Sequence, residues 1–295
     1  MQTSLSLRGR LLTLERRIVM GVLNATPDSV FAGSRTPVDG GGDALVERAR
    51  RMLAEGAVIL DVGAVSTRPD AQPADEEAEL ARLSAALSPL RKALPDAIVS
   101  VDTFRASVAR RVVRDFDVDI INDVSGCADP DMLSAVADLR VPYVLTHNPA
   151  AAAGGADAPN VATAGDDAAS GKPVDVRVAQ FFAQRLEEFY AAGVADVILD
   201  PGFGFGKTID ENYALMSALP RLVTLFTQTP FLVGISRKSM IYRLLGTSPE
   251  ASLNGTSVLN TVALQAGAHI LRVHDVKEAV EAVRIVDRLT PLEGG

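Results

Sequence analysis

The sequence predicts an α/β protein folded as a single (β/α)8 TIM barrel, preceded by a short N-terminal hairpin. Three observations carry this expectation. Eight short runs are rich in Val, Ile and Leu and lack polar alternation, as strands buried on both faces of a parallel sheet require. Helix-like stretches lie between the runs. Every run ends in polar or glycine-containing residues, and a barrel gathers all such ends on one face. A doubly wound open sheet alternates its elements in the same way, so periodicity alone does not separate the two architectures. The polar ends favour the barrel.

The elements follow in order. Residues 1–17 contain an expected hairpin over 5–14, turning at Gly9 and closing the bottom of the barrel. The barrel is expected over 18–290. Its strand candidates are 18–24 (IVMGVLN), 58–64 (VILDVGA), 98–103 (IVSVDT), 120–123 (IIND), 143–147 (YVLTH), 197–202 (VILDPG), 231–236 (FLVGIS) and 269–275 (HILRVHD). Residues 43–55 and 175–192 have apolar and charged residues at helical spacing, with Gly56 and Gly193 placed to end them. The Ala-, Gly- and Asp-rich segment 149–173 is too polar to pack and reads as a flexible loop after the fifth strand. Apolar residues around 280–286 are explained by a last helix packed on the barrel.

Composition narrows the function. The 295-residue chain is 47% hydrophobic and 22% charged, with a net charge of −8, which argues against a nucleic-acid partner. An anionic substrate remains open, because a local cluster of Arg and Lys outweighs the global sign inside a cleft. A single cysteine, Cys127, rules out a disulfide framework and points to a reducing, cytoplasmic setting. No apolar run is long enough for a signal peptide or a membrane span.

The stretch ILDPGFGFGKT, residues 198–208, raises the question of a nucleotide loop. A Walker loop needs a glycine five residues before Gly206, where Pro201 stands, and the dinucleotide pattern fails because Lys207 takes the place of its third glycine. The stretch is instead a strand ending in Asp200, followed by a glycine-rich turn displaying Phe203 and Phe205. A carboxylate beside an aromatic suits a flat heterocycle that donates N–H bonds. Asp102 and Asn122 end other strands as further acceptors, and Lys238 supplies a donor. Asp102, Asn122, Asp200 and Lys238 together fit a guanidine-like edge with a neighbouring carbonyl, which a pterin has. A second set suits anions: Thr67 and Arg68 after the second strand, and Arg272 and His274, which alternation points the same way. Asn24 offers a carbonyl oxygen to Mg²⁺, an ion that accompanies phosphate-bearing substrates.

With these motifs in order, the chain resembles the dihydropteroate synthase family from residue 18 to about residue 286. The segments that carry the resemblance are VMGVLNATPDSVFAGSRT, LDVGAVSTRPD, VSVDTFR, IINDVSG, ILDPGFGFGKTIDENYALM, VGISRKSMI and ILRVHDVKEAV. The resemblance implies a TIM barrel that joins a dihydropterin pyrophosphate to p-aminobenzoate, with Asp102, Asn122, Asp200, Lys238, Phe205 and Gly234 around the pterin. It implies Asn24, Thr67, Arg68, Arg272 and His274 around pyrophosphate and Mg²⁺, with Ser236, Lys238 and the loops receiving p-aminobenzoate. The implied mechanism is dissociative, with Asp102, Asp200, Lys238, Arg272 and His274 as its catalytic groups, and the implied assembly is a homodimer. The chain departs from the family pattern at Val30, Ala32 and Ser34 in the first loop, Val65 in the second, and Thr146 after the fifth strand, where the family has a pterin-facing Met. These departures point to altered arylamine or sulfonamide handling. A divergent pterin-binding paralogue with little activity is the second reading. A pterin-dependent methyltransferase, the third, lacks a use for STRP and RVHD.

Overall fold

The computed structural model describes residues 4–25, 42–64, 75–154 and 171–290. Two strands, β1 (Ser4–Leu7) and β2 (Arg10–Thr13), pair antiparallel through a turn in which Arg8 and Gly9 have φ of 44° and 89°. Eight parallel strands follow: β3 (Ile18–Asn24), β4 (Ile59–Gly63), β5 (Ile98–Asp102), β6 (Ile120–Asp123), β7 (Tyr143–Thr146), β8 (Val197–Asp200), β9 (Leu232–Val233) and β10 (Ile270–Val273). Their order is β8-β7-β6-β5-β4-β3-β10-β9. A bridge between Leu199 and Phe231, with Leu199 N–H donating to Pro230 O at 2.9 Å, joins the two edges and closes the barrel.

Helices connect successive strands: α1 (Gly42–Glu55), α2 (Glu76–Ala93), α3 (Ala106–Phe116), α4 (Met132–Leu139), α5 (Pro149–Gly154), α6 (Val174–Ala191), α7 (Ile209–Leu225), α8 (Ser239–Tyr242), α9 (Leu253–Gln265) and α10 (Val276–Leu289). Gly56 and Gly193 follow α1 and α6 with φ of 109° and 82°, the left-handed backbone that ends a helix and that glycine adopts without a Cβ penalty. The expected loop over 149–173 is corrected at its start. Asn148 Oδ1 accepts the N–H groups of Ala150 and Ala151, at 3.2 and 3.3 Å, and so caps α5, whose Ala150 and Ala151 are buried. Residues 155–170 of that segment lie outside the described residues.

Strand alternation divides the apolar residues into two cores. Val19, Leu23, Leu60, Val62, Ile121, Leu145, Leu199 and Val233 face outward against the helices. Met20, Ile59, Ile120, Val144, Ile198, Leu232 and Ile270 face inward, where Leu5, Leu7, Leu12 and Leu14 of the hairpin pack against them. The barrel's N-terminal end is therefore filled with hydrocarbon, and its interior turns polar only toward the strand C-termini. No helix among the described residues is long and apolar enough to cross a membrane.

His269 joins three strands at the closed end. Its Nδ1 accepts the Phe231 N–H at 3.1 Å and its carbonyl accepts the Ile18 N–H at 2.9 Å. Burial pushes the imidazole down to about 4, below the value of about 6.5 in the unfolded chain, so the unfolded state takes up the proton first. This contribution to stability is intact above pH 6.5 and fades as pH falls toward 4, at up to ~1.4 kcal/mol per pH unit. The expected outcome for His269→Asn, which keeps an acceptor but does not titrate, is a urea midpoint that drops less than the native one between pH 7 and 4.5. Equal drops would remove His269 as the source.

Candidate active site

A strand period of two places polar groups directly above the inner hydrocarbon layer. Ile59 is followed two residues on by Asp61, Ile120 by Asn122, Ile198 by Asp200, Leu232 by Gly234 and Ile270 by Arg272. Asn24, Gly63, Asp102 and Asn122 are register partners across β3 to β6. The mouth of the barrel thus collects side chains from strands distant in sequence.

At its centre Arg272 binds two carboxylates. Its Nε donates to Asp61 Oδ2 and its Nη2 to Asp102 Oδ2, each at 2.7 Å. Asn122 Nδ2 donates to the same Asp61 oxygen at 3.1 Å. Burial pulls the Arg272 guanidinium down, but Asp61 and Asp102 outweigh it and hold the group charged. Burial pushes the Asp102 carboxyl up to about 7 against the pull of Arg272. Asp61, fully buried, is the residue that the sequence reading missed as a site group. Its signal is the tripeptide ILD at 59–61, which recurs at 198–200 around Asp200.

Asp200 forms the second focus. It is buried, and its Oδ1 accepts the Gly202 N–H at 2.8 Å. Burial pushes its carboxyl up, opposed first by Lys238 and then by that N–H. Lys238 Nζ donates to Phe203 O at 2.6 Å and lies 4.3 Å from the centre of the Phe205 ring, a cation–π contact. Burial pulls the Lys238 ammonium down to about 8, opposed by Asp200. The expectation that both aromatics are displayed is corrected: Phe203 is fully buried in the outer core, and Phe205 alone faces the pocket. Thr146, register partner of Asp200 on β7, is fully buried. The Gly-Lys-Thr ending binds no phosphate: Lys207 is turned onto backbone carbonyls, and Thr208 caps α7 in a capping box with Glu211.

Two glycines keep the space open. A Cβ on Gly234 would sit 3.7 Å from Arg272 Cβ and 3.9 Å from Asp200 Oδ2, and one on Gly63 would sit 3.5 Å from Asn24 Oδ1 and 3.6 Å from Asp102 Cβ. Ser236 Oγ accepts the His274 N–H at 3.2 Å and lies 3.1 Å from His274 Nδ1. Burial, then Arg272, push the His274 imidazole down to about 3, so it meets an anion as a neutral hydrogen-bonding group and not as a cation. Thr67, Arg68 and Val65, with Asp28, Val30, Ala32 and Ser34, lie outside the described residues. Among the described residues no group of three or more His, Cys, Asp or Glu side chains is arranged to hold a metal ion. The half-buried Asn24 amide and Asp102 lie on either side of Gly63.

Comparison with known proteins agrees with this geometry. The family model of pterin binding enzymes matches residues 20–274. The chain is 37% identical over 284 residues to the dihydropteroate synthase of Escherichia coli K12, covering 95% of this chain and 94% of that protein. It is 38% identical over 278 residues to that of Mycobacterium leprae, covering 91% and 92%. The structure of Xanthomonas albilineans dihydropteroate synthase with 4-aminobenzoic acid superposes with a TM-score of 0.84 at 36% identity, over 99% of this chain and 100% of that one. That of the Yersinia pestis enzyme with a sulfonamide drug has a TM-score of 0.84 at 35% identity, over 97% and 98%.

The Arg272 network predicts the consequence of its loss. Asp61→Ala leaves the Asn122 amide without its acceptor and Arg272 with one carboxylate, and is expected to cost ~3 kcal/mol in urea unfolding at pH 7. A cost below ~1 kcal/mol would mean that Asp102 alone compensates the guanidinium.

Proposed function

The chain belongs to the pterin-binding enzyme family, and we propose that it catalyses the dihydropteroate synthase reaction of folate biosynthesis, condensing 6-hydroxymethyl-7,8-dihydropterin pyrophosphate with p-aminobenzoate. The observation that carries this reading is the gathering of Asp102, Asp200 and Lys238 around Arg272 at the mouth of one barrel, with Asn122 joined to Arg272 through Asp61. Asp200 and Asn122 receive and orient the pterin edge, and Lys238 donates to its carbonyl or ring nitrogen. Phe205 and Gly234 line the pocket. Ser236 and Lys238 face the incoming arylamine, and sulfonamides compete for that place.

Arg272, Thr67, Arg68 and His274 hold the pyrophosphate, His274 through a neutral N–H. Asn24 would contact an Mg²⁺ that arrives with the pyrophosphate, and such an ion would supply neutralisation of the leaving group's charge. The C–O bond breaks first, and its electron pair leaves with pyrophosphate. The cationic pterin methylene is stabilised by the ionised Asp102 and Asp200. The amine lone pair then forms the C–N bond and its proton passes to solvent, so the protein's work is positioning and charge stabilisation. A cytoplasmic location and a homodimer complete the reading. Leu244, Leu245, Val258, Val262, Ile285 and Leu289 are exposed apolar side chains from the last third of the chain, which a second copy would cover.

Three measurements test this. Pyrophosphate release from the pterin pyrophosphate with Mg²⁺ is expected to depend on p-aminobenzoate and to yield dihydropteroate by mass; release without coupling would confine the chain to the dissociative half. The profile of kcat/KM against pH is expected to rise through about 7 as Asp102 ionises and to fall through about 8 as Lys238 loses its proton. Lys238→Arg, which stays charged, should abolish the alkaline limb, and its persistence would assign that limb elsewhere. Sedimentation velocity at micromolar concentration is expected to give a dimer, and a monomer would remove that assembly.

A further inference from the structure

The phosphate-loop look-alike leaves one residue that the reaction does not use, Lys207. Its ammonium donates to Gly202 O at 2.8 Å, His147 O at 3.0 Å and Phe205 O at 3.1 Å. Three acceptors match the three protons of an ammonium. They come from two loops, His147 from the end of β7 and the others from the turn after β8. That turn has no ladder to hold it: Gly202, Gly204 and Gly206 have φ of 70°, 84° and 56°. The two backbones touch, since a Cβ on Gly202 would lie 2.0 Å from His147 O. Carbonyls brought so close need a shared donor, and Lys207 supplies it.

The same turn holds both charged groups of the pocket beyond the Arg272 network. Its Gly202 N–H binds Asp200 Oδ1 at 2.8 Å, and its Phe203 carbonyl and Phe205 ring enclose the Lys238 ammonium at 2.6 and 4.3 Å. We propose that Lys207 is a positioning residue for pterin binding: by gathering the carbonyls of His147, Gly202 and Phe205, it holds the glycine turn in the shape that keeps Asp200 and Lys238 in place. This rests on the pterin-binding reading above.

The lysine also acts through its charge. Asp200 faces Lys238 at the start of α8, Arg272 on β10 and Lys207 on its own turn. Burial pushes the Asp200 carboxyl up, while Lys238, the Gly202 N–H, Arg272 and Lys207 hold it down. Removing the charge at position 207 therefore raises the pH at which Asp200 ionises. A merely structural lysine would weaken binding by the same factor at every pH.

Calorimetric titration with 6-hydroxymethylpterin at pH 6, 7 and 8 separates these cases, with thermal melts to establish folding. Lys207→Met and Lys207→Gln are expected to weaken binding, and to weaken it more at pH 6 than at pH 8. Lys207→Arg should restore native affinity across the range. Lys207→Gln keeps an N–H donor and most of the volume, and carries the test alone if the methionine variant does not fold. Native affinity in Lys207→Gln at all three pH values overturns the inference, as does a pH-independent loss that Lys207→Arg fails to repair. A native chain that binds no pterin overturns the pterin reading and this inference with it; native binding with unaffected variants overturns the inference alone.

Discussion

The buried pairing of Arg272 with Asp61 and Asp102 is the constraint on which the barrel's mouth depends. An ionised guanidinium is tolerated at this depth only because two carboxylates lie 2.7 Å away. Arg272 and Asn122 both bind Asp61 Oδ2, while its buried Oδ1 has no hydrogen-bond partner among the described residues, and Arg272 also binds Asp102. The three strands involved, β4, β5 and β10, meet through one side chain as well as through the sheet around β3. The same network holds the pocket's charges in place before any ligand arrives, so little reorganisation is left for the reaction.

Around this centre, charged side chains hold loops that have no regular ladder. Lys207 gathers three carbonyls beneath the turn that presents Phe205. Arg237, itself at φ 56°, pairs with Asp275 and donates to the carbonyls of Pro249 and Glu250. Asp123 accepts the N–H groups of Ser125 and Cys127 and the Tyr143 hydroxyl, fixing the turn after β6. Glu79 binds Thr103 and Arg105 directly after Asp102. Lys207, Arg237 and Asp123 sit one or two residues from a pocket group, and Glu79 reaches the residues that follow Asp102. Titratable residues here serve backbone geometry more often than chemistry, which explains why so few of them touch the pocket.

Much of the site was legible because a barrel turns sequence position into spatial position. A strand of period two that begins in the inner hydrocarbon layer must present its next inward residue to the pocket, so ILD, IIN and ILR announce Asp200, Asn122 and Arg272. Asp61 carries the same announcement and was passed over, because a carboxylate so deep in an apolar run reads as the turn that follows it. Phe203 was misplaced for the converse reason: alternation does not continue into a glycine turn, where successive left-handed residues reset the direction of each side chain. The helical start of the segment after β7 was hidden because its cap, Asn148, and the contact of Pro149 with the glycine turn come from residues that local composition does not weigh.

By itself the sequence determined the barrel, its eight strands, the hairpin at its bottom and the identity of most polar groups at its mouth, because burial on both faces of a parallel sheet and a period of two leave few alternatives. Only the tertiary structure decided the charge state and pairing of those groups. Arg272 pairs with two carboxylates through Nε and Nη2; His274 is neutral; Lys207 is a brace. These are properties of desolvation and of distances between strands as much as 211 residues apart in sequence, and no local pattern encodes them.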